Sequence, residues 1–204
     1  MTFFVQAKHT FLAVPDDEKI LTEPFLAAAS EVVPFFDVLG PTAFKPVKSD
    51  INGNIKKLRT KFETDKEKYS TLQGMVESEI AEGTTQAKNS ATDALLWLKR
   101  ALQFIRVFLD EVLKGEEDLN KCASKAYEAS LKRFHGWLVR GIFSLAMKAV
   151  PYRKDFIKAL LQGAEGGEER VLADMKEFMK HFSQNVDTLT RYYIQSGQET
   201  DKTV

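Results

Sequence analysis

The segment from Asn89 to Lys114 constrains the fold more than any other part of the chain, because most of its side chains are apolar. Its polar side chains between positions 94 and 110 fall mainly at Lys99, Gln103, Arg106 and Asp110. Spacings of four, three and four residues place them on one narrow stripe of an α-helix. The remaining surface of that helix is apolar and has to be covered. We therefore expect a long central helix enclosed by others.

Prolines and glycines divide the first half of the chain into further helical segments. Thr22 is placed to cap one helix, Pro34 to kink or divide it, and Gly40 to end it. A helix over about 47–62 follows, and then a polar-rich helical segment over 65–83.

The second half is predicted to contain longer helices. One runs from about 119 to 150 and ends before a proline, and the next closes on Gly163. Two more amphipathic segments follow at 170–182 and 185–197. Without repeats or strand patterns, these segments predict an all-α fold of about eight helices.

Length and composition suit one domain covering residues 1–204, with 44% hydrophobic residues to form its core. The 29 basic and 29 acidic residues leave no net charge to steer the protein to nucleic acid. Cys122 is alone, which is compatible with a reducing compartment. The first apolar run is too short for a secretory signal and no run could span a bilayer, so a cytoplasmic location is expected.

Signatures of catalysis and of metal binding are missing. The chain has no G-x-S-x-G elbow, no phosphate-binding glycine loop and no H-E-x-x-H arrangement. On one continuous helix, Cys122 and His135 would be about 20 Å apart, too far to act together. The sequence therefore predicts no enzyme, no cofactor and no metal site.

A row of polar residues borders an apolar face in the helix predicted over 47–62. The residues of the apolar face are Ile51, Ile55, Leu58 and Phe62. Asp50, Asn54 and Lys57 lie on a second row, about 90 to 100° away. Taken alone, this row is a solvated helix edge on which Asp50 and Lys57 form a weak ion pair. The fifteen phenylalanines, likewise, are first interpreted as core.

Four motifs change these interpretations, because they resemble the glycolipid transfer protein family in order and spacing. They are PFFDVLGPTAFKPVKSDINGNIKKL, ALLWLKRALQFI, KAYEASLKRFHGWLVRGIF and PYRKDFIKAL. The most specific part is D-x-x-x-N-x-x-K followed by W-L-K-R and H-G-W. The resemblance covers nearly the whole chain. It implies a two-layer helical sandwich that carries one glycosphingolipid, with the sugar at the surface and the ceramide in a hydrophobic tunnel.

The resemblance also assigns roles to residues. Asp50, Asn54 and Lys57 would hydrogen-bond sugar hydroxyls, and Trp97 would stack on the first sugar ring. His135 would bind the ceramide amide together with Asp50. The residues expected to line the hydrocarbon tunnel are Phe44, Pro46, Val47, Phe104, Phe108, Phe143, Phe156 and Phe178.

A membrane-docking surface is implied as well. Its expected residues are Trp137, Leu138, Lys148 and Tyr152. For Trp137, core packing is the competing interpretation. Because the chain has no net charge, we expect peripheral, brief and reversible membrane contact by a monomer.

Two features depart from the family pattern. Asp93, one turn before Trp97, stands where an apolar residue is expected. We expect Asp93 to hydrogen-bond the sugar and to disfavour anionic headgroups. The tail Gly197–Val204 lacks the aromatic residue that helps to bind the sugar in the best-known members of the family. Whether this chain contacts sugars beyond the first is therefore left open.

The leading hypothesis is non-enzymatic transfer of galactosyl-, glucosyl- or lactosylceramide between membranes. A glycolipid sensor or presenter is an alternative, and so is a phosphorylated-ceramide carrier of the same fold. The latter calls for clustered cations, whereas Asn54 offers no charge. An interaction module with a structural aromatic core is a third possibility. An enzyme is least favoured, because it would depend on Asp50 and Asp93 as a carboxylate pair.

Overall fold

The computed structural model describes residues 1–204, which form α-helices joined by turns and one isolated bridge between Leu21 and Thr71. A short 3-10 helix covers Lys132–Phe134. The α-helices are α1 (Phe3–Gln6), α2 (Thr22–Val32), α3 (Phe35–Leu39), α4 (Lys45–Thr64), α5 (Leu72–Glu82), α6 (Ala91–Leu113), α7 (Leu119–Ser130), α8 (Trp137–Lys148), α9 (Arg153–Leu161) and α10 (Gly167–Gln195). Apart from α1 and α3, with four and five residues, each has at least nine. The prediction of an all-α fold with about eight helices is confirmed.

Helix α6 lies at the centre of the two-layer sandwich and packs against α4, α5, α7 and α10. Its N-terminus is satisfied by side chains, since Ser90 Oγ accepts from the Asp93 N–H at 3.0 Å. The Glu79 carboxylate accepts from the N–H groups of Ala91 and Thr92. The burial predicted for this helix is confirmed, but it extends to Lys99 of the polar stripe.

The predicted divisions at Pro34 and Gly40 are also confirmed. The prediction that Thr22 caps a helix is wrong, because Thr22 is the first residue of α2, no side chain caps that helix, and the Thr22 hydroxyl donates to the Tyr69 carbonyl instead. Helix α2 ends at Val32 and α3 begins at Phe35, so Pro34 separates them. Helix α4 begins two residues earlier than expected, with a proline in its first turn, where a missing N–H does no harm. The buried face of α4 includes all four predicted apolar residues, namely Ile51, Ile55, Leu58 and Phe62.

The prediction of one helix over 119–150 is wrong. Helix α7 ends at Ser130, His135 is extended with φ −104° and ψ 127°, and α8 begins at Trp137. In a continuing helix the Gly136 N–H would bond to the carbonyl four residues earlier. It donates instead to the Val204 carbonyl at 2.7 Å, from the opposite end of the chain. The helical distance calculated between Cys122 and His135 therefore does not apply.

The two segments predicted at 170–182 and 185–197 form one helix of 29 residues, α10. The residues between them include neither glycine nor proline, so nothing interrupts the helix. Asn185, at the junction, is buried and donates to the carbonyls of Leu12 and His181.

None of the helices combines the length and the apolar character that a membrane span needs.

Candidate functional site

A cleft of about 420 Å³ lies between α4, α6 and α8, and we call it the central cleft. Eleven of its seventeen lining residues are hydrophobic. The polar and aromatic residues predicted for headgroup binding all border it, and they are Asp50, Asn54, Lys57, Asp93, Trp97 and His135. Its volume is within the range of about 300 to 1,000 Å³ typical of small-ligand sites. Five residues from two helices and one from the break before α8 thus meet at one place.

The polar row of α4 lies along this cleft with free hydrogen-bonding capacity. Asn54 is buried, and its Nδ2 donates to Asp50 Oδ2 at 3.2 Å. No ion pair within 4.0 Å joins Asp50 to Lys57, so the weak surface pair considered from the sequence is not formed. The Lys57 ammonium and most acceptor positions of Asp50 are therefore available to a ligand.

Asp50 is solvent-accessible at the mouth of the cleft but has protein atoms around much of it. Burial raises the pKa of this carboxyl, and the nearby charge of Asp93 raises it further. Lys57 and the hydrogen bond from Asn54 act in the opposite direction. The two carboxylates therefore repel each other here, which makes this end of the cleft unfavourable for another anion.

Trp97 is held as a flat, half-buried surface by its neighbours. The Arg100 guanidinium carbon lies 4.8 Å from the indole centroid. The His135 ring lies 6.2 Å from it and within 12° of parallel. Phe134 meets the indole edge to face at 6.4 Å. Such packing fixes the plane of the indole before any ligand arrives.

His135 is a buried, neutral imidazole. Burial lowers the pKa of His135 to about 4, assisted by the positive charges of Arg140 and Arg100. Its Nδ1 lies 3.1 Å from the Tyr127 hydroxyl. When that hydroxyl donates to Nδ1, the imidazole proton is on Nε2, which can donate to a ligand. Tyr127 was not identified from the sequence, since its pairing with His135 depends on the break before α8.

The residues predicted to line the hydrocarbon tunnel fall into two groups. Pro46, Val47 and Phe143 border the central cleft. Most of the others belong to a phenylalanine cluster, comprising Phe35, Phe36, Phe44, Phe104, Phe108 and Phe156. Phe178 packs apart from them, against Phe4 and Phe182. The rings of the phenylalanine cluster fill their own space, so their contact with a lipid chain stays a prediction.

Helix α8 presents an apolar face to solvent. Trp137 is 84% exposed, which excludes core packing for its side chain in this structure, and Tyr152 beyond the helix is 85% exposed. Leu138 and Lys148 are exposed as well, as predicted for a docking surface. Ile142 and Leu145 are also exposed, although the sequence reasoning missed them. Their spacing from Leu138 by four and seven residues was the available signal.

The C-terminal tail, Gly197–Val204, folds back onto the body of the protein. The Val204 N–H donates to the Phe134 carbonyl at 3.0 Å, and its own carbonyl accepts from Gly136. Val204 also borders the central cleft. Glu199 meets the buried side chains of Lys99 and Arg100. Nothing in the composition of this polar tail predicts these contacts, and those of Glu199 join residues about one hundred positions apart.

The chain has the fold of glycolipid transfer proteins, called the GLTP fold. One solved structure, which concerns how FAPP2 selects simple glycosphingolipids using this fold, is 40% identical to the chain in sequence, with a TM-score of 0.91. The match covers 100% of both chains.

Sequence comparisons agree with the structural match. The family model described as glycolipid transfer protein (GLTP) matches residues 20–162. A glycolipid transfer protein from Danio rerio is 38% identical over 201 residues, covering 95% of this chain and 96% of the relative. The chain therefore belongs to the glycolipid transfer protein family, as the motifs indicated.

A longer relative is also similar. Pleckstrin homology domain-containing family A member 8 from Homo sapiens is 41% identical over 211 residues. The match covers 100% of this chain and 40% of that relative, so the chain spans well under half of its length.

Proposed function

We propose that this protein binds one glycosphingolipid and transfers it between membranes without catalysing a reaction. The observation that carries the proposal is the central cleft, where the six side chains predicted to bind the headgroup meet an apolar wall. The family and the names of its relatives support the same ligand class. We also propose that residues 1–204 act as a single domain and as a monomer.

The sugar would bind at the mouth of the cleft. A carboxylate accepts from hydroxyls, an amide both donates and accepts, and an ammonium donates, so Asp50, Asn54 and Lys57 together suit a polyhydroxylated ring. Trp97 offers the apolar C–H face of the sugar a rigid plane. Galactosyl-, glucosyl- and lactosylceramide are the proposed ligands.

The ceramide amide would bind just inside. A neutral His135 with its proton on Nε2 donates to the amide carbonyl, while Asp50 accepts from the amide N–H. The depressed pKa of His135 supports this role, because the imidazole stays uncharged at neutral pH. Tyr127 would act as a positioning residue that selects the tautomer.

The hydrocarbon chains would enter by separating rings of the phenylalanine cluster. Exposing a chain of about 16 carbons to water costs on the order of 13 kcal/mol, at about 0.8 kcal/mol per methylene. Bilayer and protein interior are both apolar, so transfer between them is nearly balanced for the chains. Selection then depends on the headgroup, whose polar partners would be left unsatisfied by a lipid without sugar.

Membrane contact would be made by the exposed face of α8. Trp137 and Tyr152 are amphipathic aromatic residues suited to the headgroup level of a bilayer, and Leu138 and Leu145 add apolar surface. With no net charge on the chain, this contact would be reversible. A cytoplasmic protein with peripheral membrane association is the expected form.

A phosphorylated-ceramide ligand is less well supported. The charged residues lining the central cleft are Asp50, Lys57 and Asp93, so carboxylates outnumber cations. A phosphate carries about 1.5 to 2 negative charges and is favoured by clustered cations. The cleft therefore favours neutral sugars.

A vesicle assay tests the proposal. The protein should transfer labelled galactosylceramide faster than its sulfated form or ceramide-1-phosphate. Trp97→Ala should abolish most binding, measured by native mass spectrometry. The matched variant Trp137→Ala should retain bound lipid yet transfer it slowly. Binding without transfer by the unaltered protein would favour a sensor or presenter, and absence of any bound glycolipid would contradict the proposal.

A further inference from the structure

A second cleft, of about 410 Å³, lies beside the C-terminal tail, and the charges of its two sides differ. The body of the protein contributes three cations, Lys99, Arg100 and Arg133. Both carboxylates of the lining, Glu199 and Asp201, belong to the tail. If the tail were withdrawn, this cleft would hold three positive charges and no negative one.

Two of these cations are deeply buried. Lys99 is 2% exposed and Arg100 is 1% exposed. Burial lowers the pKa of both side chains, and contact with Glu199 opposes that shift. Adjacent buried cations are unfavourable unless an anion accompanies them. With the tail in place, these two cations therefore need an anion beside them.

Glu199 is that anion in this structure. Its Oε1 accepts from Arg100 Nη2 at 2.8 Å, and its Oε2 pairs with Lys99 Nζ. Arg100 Nη2 also donates to the Thr200 carbonyl. Burial alone would raise the pKa of Glu199, but the hydrogen bonds from the two cations lower it. The carboxylate is thus ionised at neutral pH.

The pairing is incomplete. Arg100 Nη1 is buried and has no hydrogen-bond partner. Arg133 stacks on Phe134, with 4.4 Å between its guanidinium carbon and the ring centroid, and joins no ion pair. One carboxylate therefore contacts two of the three cations, Lys99 and Arg100, and leaves donors unused. Gln103, Ser130 and Thr190 add further polar groups to the walls.

We propose that Lys99, Arg100 and Arg133 form a binding site for a phosphate group, which Glu199 occupies as an internal ligand until a phosphate-bearing molecule displaces the tail. A phosphate offers three acceptor oxygens and more charge than a carboxylate. It suits both the forked guanidinium and the ammonium. The phosphate group could belong to a soluble phosphate ester or to a lipid headgroup.

Displacement of the tail would also alter the central cleft. Val204, in the same tail, borders that cleft and bonds to the backbone on both sides of His135. Binding of a phosphate group in the second cleft would therefore move Val204 out of the wall of the central cleft. The phosphate site itself does not depend on the proposed glycolipid function.

Calorimetric titration with pyrophosphate at constant ionic strength tests the site. Glu199→Gln should bind pyrophosphate at least about tenfold more tightly than the unaltered protein, a difference of about 1.4 kcal/mol, because the internal competitor is weakened. Glu177→Gln is the matched control, since this exposed residue lies on α10 about 20 Å before Thr190. The control should leave the affinity unchanged.

Two further arms identify the site and the source of the phosphate. Adding Arg133→Gln to Glu199→Gln should abolish the gain in pyrophosphate affinity. Flotation with phosphatidylcholine vesicles, with and without phosphatidic acid, tests a lipid source. A gain seen only on phosphatidic acid vesicles assigns the site to a lipid headgroup, and a gain in calorimetry assigns it to soluble phosphate. Equal binding by Glu199→Gln and the unaltered protein in both arms overturns the proposal.

Hydrogen exchange on the unaltered protein tests the site even if Glu199→Gln does not fold. In the unaltered protein, millimolar pyrophosphate should accelerate exchange of the Gly136 and Val204 amide hydrogens. These two hydrogens form the backbone hydrogen bonds that join the end of the tail to the segment around His135. Amides in the middle of α10 should not change. Unaltered protection of Gly136 and Val204, with or without heat of binding, overturns displacement of the tail.

Discussion

On α6, Phe104 and Phe108 of the phenylalanine cluster lie about two and three turns beyond Trp97 of the central cleft, yet different forces hold the shapes of the two regions. The cleft is fixed by directional contacts, such as the hydrogen bond between Asn54 and Asp50 and the stacking of Arg100 on Trp97. The cluster is held by apolar ring contacts, with centroids 5.7 to 6.5 Å apart between Phe108 and its neighbours Phe156 and Phe104. Directional contacts favour one ligand geometry, whereas apolar contacts can be exchanged for hydrocarbon without a polar loss.

This comparison predicts that the cluster determines stability and the cleft determines which lipid binds. Phe108→Ala should lower the free energy of unfolding by about 3 to 5 kcal/mol, because Phe108 is fully buried and its loss leaves a cavity. Urea denaturation measures this change. Headgroup preference among the lipids bound by the folded fraction should be retained, and a changed preference would break the comparison.

Asp50→Val should have the opposite effect to Phe108→Ala, because it should weaken lipid binding more than it lowers stability. Loss of its acceptors should weaken galactosylceramide binding by about 2 to 3 kcal/mol, since ligand donors would be left unsatisfied. Stability should change little, because the loss of the hydrogen bond from buried Asn54 is offset by removal of a carboxylate whose pKa is raised by burial.

Binding measured by native mass spectrometry and urea denaturation together test this variant. Asp110→Val is the matched control, because Asp110 lies on α6 about 20 Å beyond Trp97 and pairs only with Lys114 at the surface. A similar loss of binding in the control would remove the argument for the polar row.

His135, in the central cleft, makes the stability of the protein depend on pH. Its pKa is about 4 in the folded protein and about 6.5 when unfolded, so the unfolded state binds the proton more tightly. Its contribution is full above about pH 6.5 and is lost as pH falls toward 4. The loss should reach up to about 3 kcal/mol.

The measurement compares unfolding free energies at pH 7 and pH 4.5 for the unaltered protein and His135→Gln. Carboxyl groups titrate equally in both, so the difference between the two pH profiles reports His135. Parallel profiles would show that the imidazole is not held neutral by the fold.

Asp93→Leu should produce the smallest effect and sharpen the account of the cleft. Removing this partly exposed charge should narrow the preference for neutral over sulfated galactosylceramide by a few-fold, about 0.5 to 1 kcal/mol. Transfer rates of the two lipids measure the ratio. Asp110→Leu should not change the ratio, and an unchanged ratio in Asp93→Leu would show that this carboxylate does not select headgroups.

Local patterns predicted most of the fold. The stripe on α6 and the apolar face of α4 follow from helical periodicity, and Pro34 separates α2 from α3 as expected. The break before α8 could not be predicted, because the bond that ends the helix pairs Gly136 with Val204. Periodicity within one helix contains no information about a partner 68 residues away.

The residues of the candidate site likewise divide into those that the sequence could predict and those that depend on contacts between remote segments. The resemblance to the family implied that Asp50, Asn54 and Trp97 share a site, with Asp93 one turn before Trp97, and the structure brings all four to one cleft. Lys99 looked like part of a solvent-facing stripe and is buried, since its partner Glu199 comes from the distant tail. Contacts between remote, weakly patterned segments were therefore what sequence reasoning lacked.

The break before α8 has one more consequence. Gly136 alone separates His135, which faces the interior, from Trp137, which faces outward. A tilt of α8 would therefore act on the imidazole through a single residue and would strain the Gly136–Val204 hydrogen bond. If α8 contacts a bilayer as proposed, the orientation of the molecule on that surface and the geometry around His135 would be connected through this one residue.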